Sequence, residues 1–510
     1  MEAQPGTATA LDAEPVPYAA LDAEPVPHAE PLTDDQLNKQ ISDVFADLIK
    51  HAHDLGQKIA TENGLTGSDA LALFKLEAPM TMKELGLRMG CDPSFVTTIA
   101  DALEKHGLAR REPSVKDRRS KNLVLTPEGV SVRERVCDEL MARTWEPGNH
   151  QLRGELYRQL LMNLSMGYFM YFQTDADHPE WMPFLNSVFL LQPNPDDVYY
   201  LAHIDAANSY RISGEPGSMH LLTFSLGAKS MGMFEEKPQT YAEYDAATLP
   251  RDKNGWFEVL LSSERPAAHR GAWWPLTAGM DFILVRLRSY DWGNERDPLL
   301  AIERVGNAPL KPRMSPAQID TNMRGVLAFA ERLTRMWLDF QNDMRARDLE
   351  NRFELSGFED WAGVKAQTYW RGIFKFAPGE ALILETELPE KRPYWNVQLA
   401  DTLFNALEVN YRFTSLNGFQ ARVDSDGKFR AVISLEDPGV PNWLDASGYT
   451  WGTVIGRWYD CSTRPLPTLK KVPVEEVRRH LPPDTPRIGA TERQAALRTR
   501  VRGAQLRRKW

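Results

Sequence analysis

Signals that start and stop helices follow one another closely between residues 81 and 107, and few folds satisfy them all. Thr81 and Glu84 make a T-x-x-E capping box, which begins a helix. Asp92 and Pro93 supply the N-cap and the first residue of the next helix. Each of these two segments is followed by a glycine that can end it. The sequence therefore predicts two short helices that flank a tight turn.

The second of these helices, residues 93 to 106, is expected to bury one side and expose the other. Apolar residues at three- and four-residue spacing form one side, and Ser94, Thr97 and Thr98 lie on the other. Two short strands are predicted next, LARRE and KNLVLT, joined by the polar loop PSVKDRRS. A helix-turn-helix unit followed by a charged hairpin is typical of a winged helix-turn-helix domain.

The stretch from Lys105 to Lys121 is strongly basic, in contrast to the chain as a whole. The formal net charge of the chain is -10, which does not indicate a nucleic-acid partner. This stretch, however, carries seven lysines and arginines against Glu112 and Asp117. Cations at a hairpin tip can reach phosphates or the minor groove, and short polar side chains let a helix approach base edges. The pattern favours binding to double-stranded DNA.

The segment TMKELGLRMGCDPSFVTTIADALEKHGLARREPSVKDRRSKNLVLTPEG, residues 81 to 129, resembles the core of the MarR family of transcriptional regulators. The resemblance includes the Leu-Glu-x-x-Gly-Leu end of the recognition helix and the Asp-Arg-Arg of the wing. The predicted helices on either side are similar to the family's dimerisation helices, which extends the resemblance to residues 32 to 166. It implies a homodimer that binds an inverted-repeat operator and responds to a small aromatic effector or an oxidant.

The resemblance also implies roles for individual residues. Arg118 would enter the minor groove, with Asp117 positioning it or Arg119, while the polar side of the recognition helix would face the major groove. Thr98 stands where many relatives carry an arginine, which removes a phosphate or base contact. The expected DNA-binding residues are Ser94, Thr97, Thr98, Lys105, Arg110, Arg111, Lys116, Asp117, Arg118, Arg119 and Lys121.

Other features of the sequence bound the class of protein. Cys91, Cys137 and Cys461 form no Cys/His cluster, so we expect no disulfide framework, no metal and no cofactor, and a structural role for Cys91 is favoured over a redox switch. The absence of a long apolar run or a secretory signal predicts a cytoplasmic protein without a membrane partner. Residues 1 to 31 repeat the decapeptides ALDAEPVPYA and ALDAEPVPHA, which predicts a disordered acidic tail.

The composition changes in residues 168 to 510, which hold every tryptophan except Trp145. Short β-type runs replace helical patterns, and one long helix, PAQIDTNMRGVLAFAERLTRMWLDFQNDM, interrupts them. We therefore predict a multidomain fold, with an all-α/winged-helix N-terminal domain and a mostly β, sandwich-like (α+β) C-terminal domain. The basic C-terminal stretch ERQAALRTRVRGAQLRRKW is predicted to be a helix that packs against this domain rather than one that contacts phosphates.

Three segments of this region resemble a bacterial domain family of unknown function: residues 194 to 217, 273 to 292 and 437 to 459. Polar residues within aromatic motifs could line a pocket for a small aromatic or amphipathic molecule. They could equally form turns and fill the core. The candidate pocket residues are Asn194, Asp196, Tyr210, Arg211, Asp291, Asn410, Arg412, Asn442, Trp443 and Asp445.

Two functions follow as hypotheses. The first is a homodimeric, effector-responsive transcriptional regulator without enzymatic activity, because no recognisable catalytic motif is present. The second is an enzyme that acts on an aromatic or lipid-like metabolite, with the winged helix as a regulatory appendage. Converging Asp/Arg pairs in a deep pocket with shifted pKa values would favour the second.

Overall fold

A computed structural model of the protein describes residues 65–76, 78–114, 120–137, 143–146, 149–185, 194–307, 310–357 and 366–507. These residues all belong to one contact-linked unit, His53–Trp510. The predicted acidic tail and first helix lie outside the described residues.

The N-terminal part is a winged helix built on local caps. Its elements are α1 (Gly67–Lys75), β1 (Met80–Thr81), α2 (Met82–Met89), α3 (Pro93–Lys105), β2 (Ala109–Pro113), β3 (Lys121–Leu125) and α4 (Pro127–Cys137). The capping box of Thr81 and Glu84 is confirmed, and the Asp92 side chain accepts a hydrogen bond from the Ser94 backbone N–H. Gly107 has a φ of 71°, a conformation that favours glycine.

This part of the chain is not all-α. The three strands form an antiparallel sheet in the order β1-β3-β2, and its buried residues pack against α1, α3 and α4. The sheet forms because the hairpin that joins β2 to β3 also places β3 beside the short strand before α2. Multidomain organisation with a mostly β C-terminal region is confirmed.

A long helix, α5 (His150–Tyr168), continues as a π-helical turn, Phe169–Gln173, and crosses the predicted domain boundary at residues 166 to 168. It packs antiparallel to α6 (Pro316–Ala346), since Asn163 Nδ2 donates to Thr334 Oγ1 at 2.8 Å and Gly167 lies against Val326. A Cβ at Gly167 would approach Val326 Cγ1 to 3.1 Å, so a small residue allows this close contact. The helix is thus part of the C-terminal core.

One β-sandwich follows each of these two helices in the chain. The first comprises β4 (Met182–Pro183), β5 (Asp197–His203), β6 (Tyr210–Glu215), β7 (Leu221–Ala228), β8 (Gln239–Asp245), β9 (Phe257–Ser262), β10 (Ala272–Pro275), β11 (Phe282–Arg288) and β12 (Leu299–Arg304). Its sheets have the orders β4-β5-β11-β7-β8 and β10-β9-β6-β12. Alternate residues of both sheets, such as Phe224, Ile283 and Val259, fill the space between them.

The second sandwich comprises β13 (Phe353–Ser356), β14 (Gln367–Lys375), β15 (Glu380–Thr386), β16 (Tyr394–Ala400), β17 (Ser415–Asn417), β18 (Phe429–Ser434), β19 (Trp443–Asp445), β20 (Trp451–Tyr459) and β21 (Thr468–Pro473). Its sheets have the orders β13-β14-β20-β16-β17 and β19-β18-β15-β21. A 3-10 segment, Val474–His480, and the terminal helix α7 (Ala490–Leu506) complete the described chain.

The second sandwich repeats the first. Adding nine to every strand number of the first sandwich gives the strand orders of the second, so that β4 corresponds to β13 and β12 to β21. Each sandwich also contains one parallel pair of strands, β9 with β10 in the first and β18 with β19 in the second. Side chains also correspond: Trp273 Nε1 donates to Ser262 Oγ at 2.9 Å, and Trp443 Nε1 donates to Ser434 Oγ at 3.1 Å. Because α5 precedes one sandwich and α6 the other, residues 150–304 and 316–473 form two tandem helix-plus-sandwich repeats.

The terminal helix α7 binds both repeats, as packing against its own domain predicts. Arg507 donates to the carbonyl oxygens of Pro195 and Asp196, at 2.7 and 2.6 Å. Arg500 donates to the Val409 carbonyl oxygen and to Ser415 Oγ, at 2.7 and 2.6 Å. Over the described ranges, no helix has the length and apolarity needed to cross a membrane.

Candidate functional site

The outward side of α3 carries the residues expected to face the major groove. Thr97 and Thr98 are exposed, as is Phe95 between the two helix caps. The Ser94 hydroxyl is exposed but donates to the Asp92 carboxylate at 2.6 Å, which lowers the pKa of Asp92. This hydrogen bond ties Ser94 to the start of the helix, so Thr97 and Thr98 are the more available groups.

The basic residues around α3 divide into two groups. Lys105 and Lys121 are exposed, and Arg110 is exposed beside Glu112, with 2.6 Å between Nε and Oε1. Arg111 instead points at α3, where its guanidinium pairs with Glu104 and lies 2.7 Å from Asp101 Oδ1.

Arg111 also donates to the Thr97 carbonyl oxygen at 3.3 Å, and its side chain is 21% exposed. The structure therefore places this predicted DNA-binding residue as a link between β2 and α3. Lys116, Asp117, Arg118 and Arg119 lie outside the described residues.

Two of the predicted pocket residues, Asn194 and Asp196, lie in a buried hydrogen-bonded cluster that joins the repeats. The Asp196 carboxylate accepts hydrogen bonds from Tyr394, at 2.7 Å, and Asn417, at 2.7 Å. Asn194 accepts one from Asn396 at 2.7 Å. Since these groups are buried and bonded to one another, the cluster fixes how the two repeats meet.

An ion pair beside this cluster is equally enclosed. The guanidinium of Arg288 binds the Asp197 carboxylate with two hydrogen bonds of 2.7 and 2.8 Å, and both side chains are 1% exposed. Arg288 also lies over the Tyr394 ring, 4.1 Å from its centroid. The pair does not open into either of the two cavities described below.

The remaining predicted pocket residues are spread over both repeats. Tyr210 is buried, and its hydroxyl donates to the Ala176 carbonyl oxygen at 2.9 Å. Arg211 lies on β6 with a side chain that is 41% exposed, and it pairs with Glu303 at 2.7 Å. The Asp291 carboxylate accepts a hydrogen bond from Asn294 in a turn.

Five more of these residues belong to the second repeat. The Asn442 side chain holds the backbone of Arg422, and Trp443 donates to Ser434 Oγ. Asn410 is half-buried in the loop before β17. Arg412 pairs with Asp445 at 2.9 Å and lines a cavity. The ten residues therefore do not form one pocket.

That cavity, here called the junction cavity, has a volume of about 820 Å³. Its walls are Glu146, Asn149 and the first turns of α5, together with the loops 401–412 and 447–451 of the second repeat. Residues 143–146 lie in the chain between the winged helix and α5, and Trp145 contacts Trp451 with 4.9 Å between ring centroids. The cavity thus borders the connection between the two parts of the chain.

Four carboxylates, Glu146, Glu155, Asp401 and Glu408, line the junction cavity together with Arg158 and Arg412. Burial raises the pKa of Asp401 from 3.8 to about 6, and the nearby charge of Glu155 adds to the shift. Glu146 accepts a hydrogen bond from Trp451 Nε1 at 3.0 Å. The Glu408 Oε1 atom is buried without a hydrogen-bond partner among the described residues. Sequence reasoning missed these acids because they lie in two distant segments of the chain that only the fold brings together.

A second cavity of about 450 Å³ lies in the corresponding place of the other repeat. It is enclosed by the β7–β8 loop, residues 232–237, and by α6, residues 332–347. The junction cavity is formed in the same way by the β16–β17 loop and α5. Each cavity therefore lies between a helix of one repeat and a loop of the other.

Two segments of the chain match known families. Residues 69–121 match the MarR family, and residues 381–463 match a protein family of unknown function, DUF1214. The first match covers α1 to the start of β3, and the second lies within the second repeat. No functionally curated protein is detectably similar to the chain.

Solved structures are similar to different parts of the chain. An uncharacterized protein from Burkholderia cenocepacia is 23% identical, covers 68% of this chain and 98% of its own, and has a TM-score of 0.61, which shows a shared fold. Apo MarR from E. coli is 22% identical over 20% of this chain and 73% of its own, with a TM-score of 0.18. Reduced AbfR bound to DNA is 22% identical over 25% of this chain and 96% of its own, with a TM-score of 0.20.

Proposed function

We propose that the protein is a MarR-type transcriptional regulator that binds operator DNA as a homodimer and responds to a small effector. The observation that carries the proposal is the exposed polar side of α3, with Thr97 and Thr98, in a segment that matches the MarR family. A helix of this kind places short side chains near base edges while the wing contacts the backbone. Double-stranded DNA is the partner, and the cytoplasm is the compartment that such a role requires.

Binding to DNA from the region upstream of its own gene, measured over a salt series, tests this proposal. The affinity should fall steeply with salt, because phosphate contacts release counterions. Thr98→Asp adds a negative charge to the exposed side of α3 and should weaken binding at least about tenfold. Thr491→Asp, an exposed threonine on α7, is the matched control and should leave binding unchanged. If the native protein binds no such DNA at low salt, the regulator proposal is wrong.

The homodimer in this proposal uses the outer side of α5. Its inner side packs on α6 within the same chain, so only the outer side is available to a second copy. Leu161 and Tyr168 are 67% and 53% exposed there, and their spacing of seven residues places them on the same side of the helix. Light scattering on the native protein and on Leu161→Glu tests this part, since the variant should be monomeric.

The junction cavity is the proposed effector site. Its walls include Glu146 and Asn149 of the connecting segment and the first turns of α5. A ligand there can bias how the connecting segment is held, and hence the spacing of the two recognition helices in the dimer. Its effect on DNA binding is limited to its difference in affinity for the two arrangements.

We propose a binding role rather than a catalytic one for the C-terminal region. The enzyme hypothesis calls for Asp/Arg pairs that converge in one pocket. Arg412 and Asp445 lie beside the junction cavity, whereas Arg288 and Asp197 are enclosed between the repeats. Turnover of aromatic or lipid-like substrates by the native protein would contradict this proposal.

A further inference from the structure

The two tandem repeats allow the two cavities to be compared as related sites with different charges. In the second cavity the acidic wall residues all have a basic partner. Glu235 pairs with Arg332 at 2.7 Å, and Asp343 pairs with Arg347 at 2.8 Å. The other two pairs are Glu236 with Lys229, at 3.1 Å, and Asp339 with Arg143, at 3.1 Å. This cavity is internally neutralised.

The junction cavity differs, because three of its four carboxylates have no basic partner among the described residues. Glu155 pairs with Arg158 at 2.6 Å, and Arg412 is already paired with Asp445 outside the wall. Glu146, Asp401 and Glu408 form no ion pair in the described part of the chain.

Neutral N–H groups donate hydrogen bonds to two of these carboxylates. Glu146 accepts hydrogen bonds from Trp451 Nε1 and Asn149 Nδ2, at 3.0 and 2.6 Å. Asp401 accepts them from the backbone N–H groups of Leu403 and Asn405, at 2.9 and 2.8 Å. Glu408 Oε1 accepts no hydrogen bond from any residue that the structure describes. Ionising a carboxylate that has no basic partner in a partly enclosed site costs free energy, and a cation nearby lowers that cost.

A single metal ion does not fit this arrangement. Nowhere in the described ranges do three or more His, Cys, Asp or Glu side chains converge as metal ligands. A volume of about 820 Å³ is that of a site for a small molecule, and Tyr449 and Trp451 add aromatic rings to the wall. Aromatic rings and separated carboxylates together suit a cation carried on an organic framework.

We propose that the junction cavity binds an organic cation, an amine that carries an apolar or aromatic group. The ammonium group would bind carboxylates of this wall, among them Glu146 and Glu408, and the apolar group would lie against Tyr449 and the side chain of Leu407. The binding site stands on the geometry of the cavity, whereas its use as an effector site rests on the proposed function.

The test uses the native full-length protein without DNA and three probes of equal shape: 2-phenylethylamine, 2-phenylethanol and phenylacetate. Ligand-observed NMR titrations give the three dissociation constants. The amine should bind at least about tenfold more tightly than the alcohol, because a charge-assisted hydrogen bond replaces a neutral one. Phenylacetate should bind more weakly than both. No binding of the amine, or equal binding of amine and alcohol, would overturn the proposal.

Variants locate the site. Glu408→Gln should weaken amine binding about tenfold and leave the alcohol unaffected. Glu146→Gln is the second variant, so that a folding defect in one does not decide the result. Glu236→Gln, in the corresponding loop of the other repeat, is the matched control and should change amine affinity by less than about twofold. Unchanged amine affinity in both cavity variants would also overturn the proposal.

Addition of operator DNA separates this inference from the proposed function. If the amine binds and shifts DNA affinity, both stand. If it binds without any shift, the cation site stands and its effector role fails. If DNA binds and the amine does not, the regulator stands and the cation site fails.

Discussion

Replacement of Asp401 by asparagine should make the protein more stable near neutral pH. Asp401 follows β16 and is 1% exposed. Its Oδ1 accepts hydrogen bonds from the backbone N–H groups of Leu403 and Asn405, which an asparagine oxygen can also accept. Its Oδ2 accepts one from Asn405 Nδ2 at 3.1 Å, which the variant loses. The change therefore removes a buried charge and about one hydrogen bond.

The magnitude follows from the pKa of the buried carboxyl. Burial raises the pKa of Asp401 from 3.8 to about 6, so between these values the folded protein keeps a proton that the unfolded chain has released. Stability therefore falls as pH rises across this window, by about 3 kcal/mol at 1.4 kcal/mol per pKa unit. Loss of the Asn405 hydrogen bond costs about 1 kcal/mol at every pH. The variant should be about 2 kcal/mol more stable at pH 7.5 and slightly less stable at pH 3.5.

Urea unfolding followed by tryptophan fluorescence measures this, since every tryptophan except Trp145 lies after residue 168. The native protein should lose stability between pH 4 and 6 relative to Asp401→Asn. Asp445→Asn is the control, because Asp445 is also buried but pairs with Arg412. That variant should be less stable than the native protein at pH 7.5. Parallel pH profiles for the native protein and Asp401→Asn would refute the reasoning.

Three further changes test other parts of the structure. Arg118→Ala should lower the salt slope of operator binding by about one unit, as loss of one phosphate contact requires, and an unchanged slope removes Arg118 from the interface. Arg111→Ala should destabilise the α3–β2 link by about 1 kcal/mol, seen as faster hydrogen exchange in β2, because two carboxylates on α3 lose their partner. Gly456→Ala should lower the thermal midpoint, at a cost of about 3 kcal/mol, because its Cβ would lie 1.8 Å from the buried Trp370 ring. The control is Gly489→Ala, whose added Cβ would have no atom within 4 Å, and it should leave the thermal midpoint unchanged.

Local signals in the sequence predicted the winged helix well. The capping box of Thr81 and Glu84 and the cap at Asp92 are hydrogen bonds over two or three residues, so the sequence itself contains both partners. The role of Arg111 could not be read in this way. Its partners Asp101 and Glu104 lie ten and seven residues earlier and meet it only when β2 packs beside α3. The prediction that Arg111 binds DNA came from the local excess of positive charge alone.

The tandem repeat and the junction cavity could not be predicted from the sequence, because both become visible only in the order of the strands and in the packing of distant segments. The two copies share strand order but few side chains, among them Trp273 and Trp443. Asn442 was a candidate for a pocket, yet its amide donates to backbone carbonyl oxygens of the β17–β18 loop, at Arg422, and of β18, at Arg430. A polar residue in an aromatic motif is ambiguous until its partner is known, and these partners lie 12 to 20 residues away.

The helix α5 connects these findings because it serves two parts of the chain at once. By sequence it follows the winged helix, where the MarR resemblance assigns it to dimerisation, and by packing it is the helix of the first repeat. Its inner side is fixed by α6, so a rotation of α5 would have to break the Asn163–Thr334 hydrogen bond and the close contact at Gly167. A ligand in the junction cavity is therefore expected to act on residues 143–146, which precede the fixed helix, rather than on α5 itself. The winged helix would then move relative to a rigid C-terminal region, and hydrogen exchange on ligand binding should change in residues 143–146 while α5 stays protected.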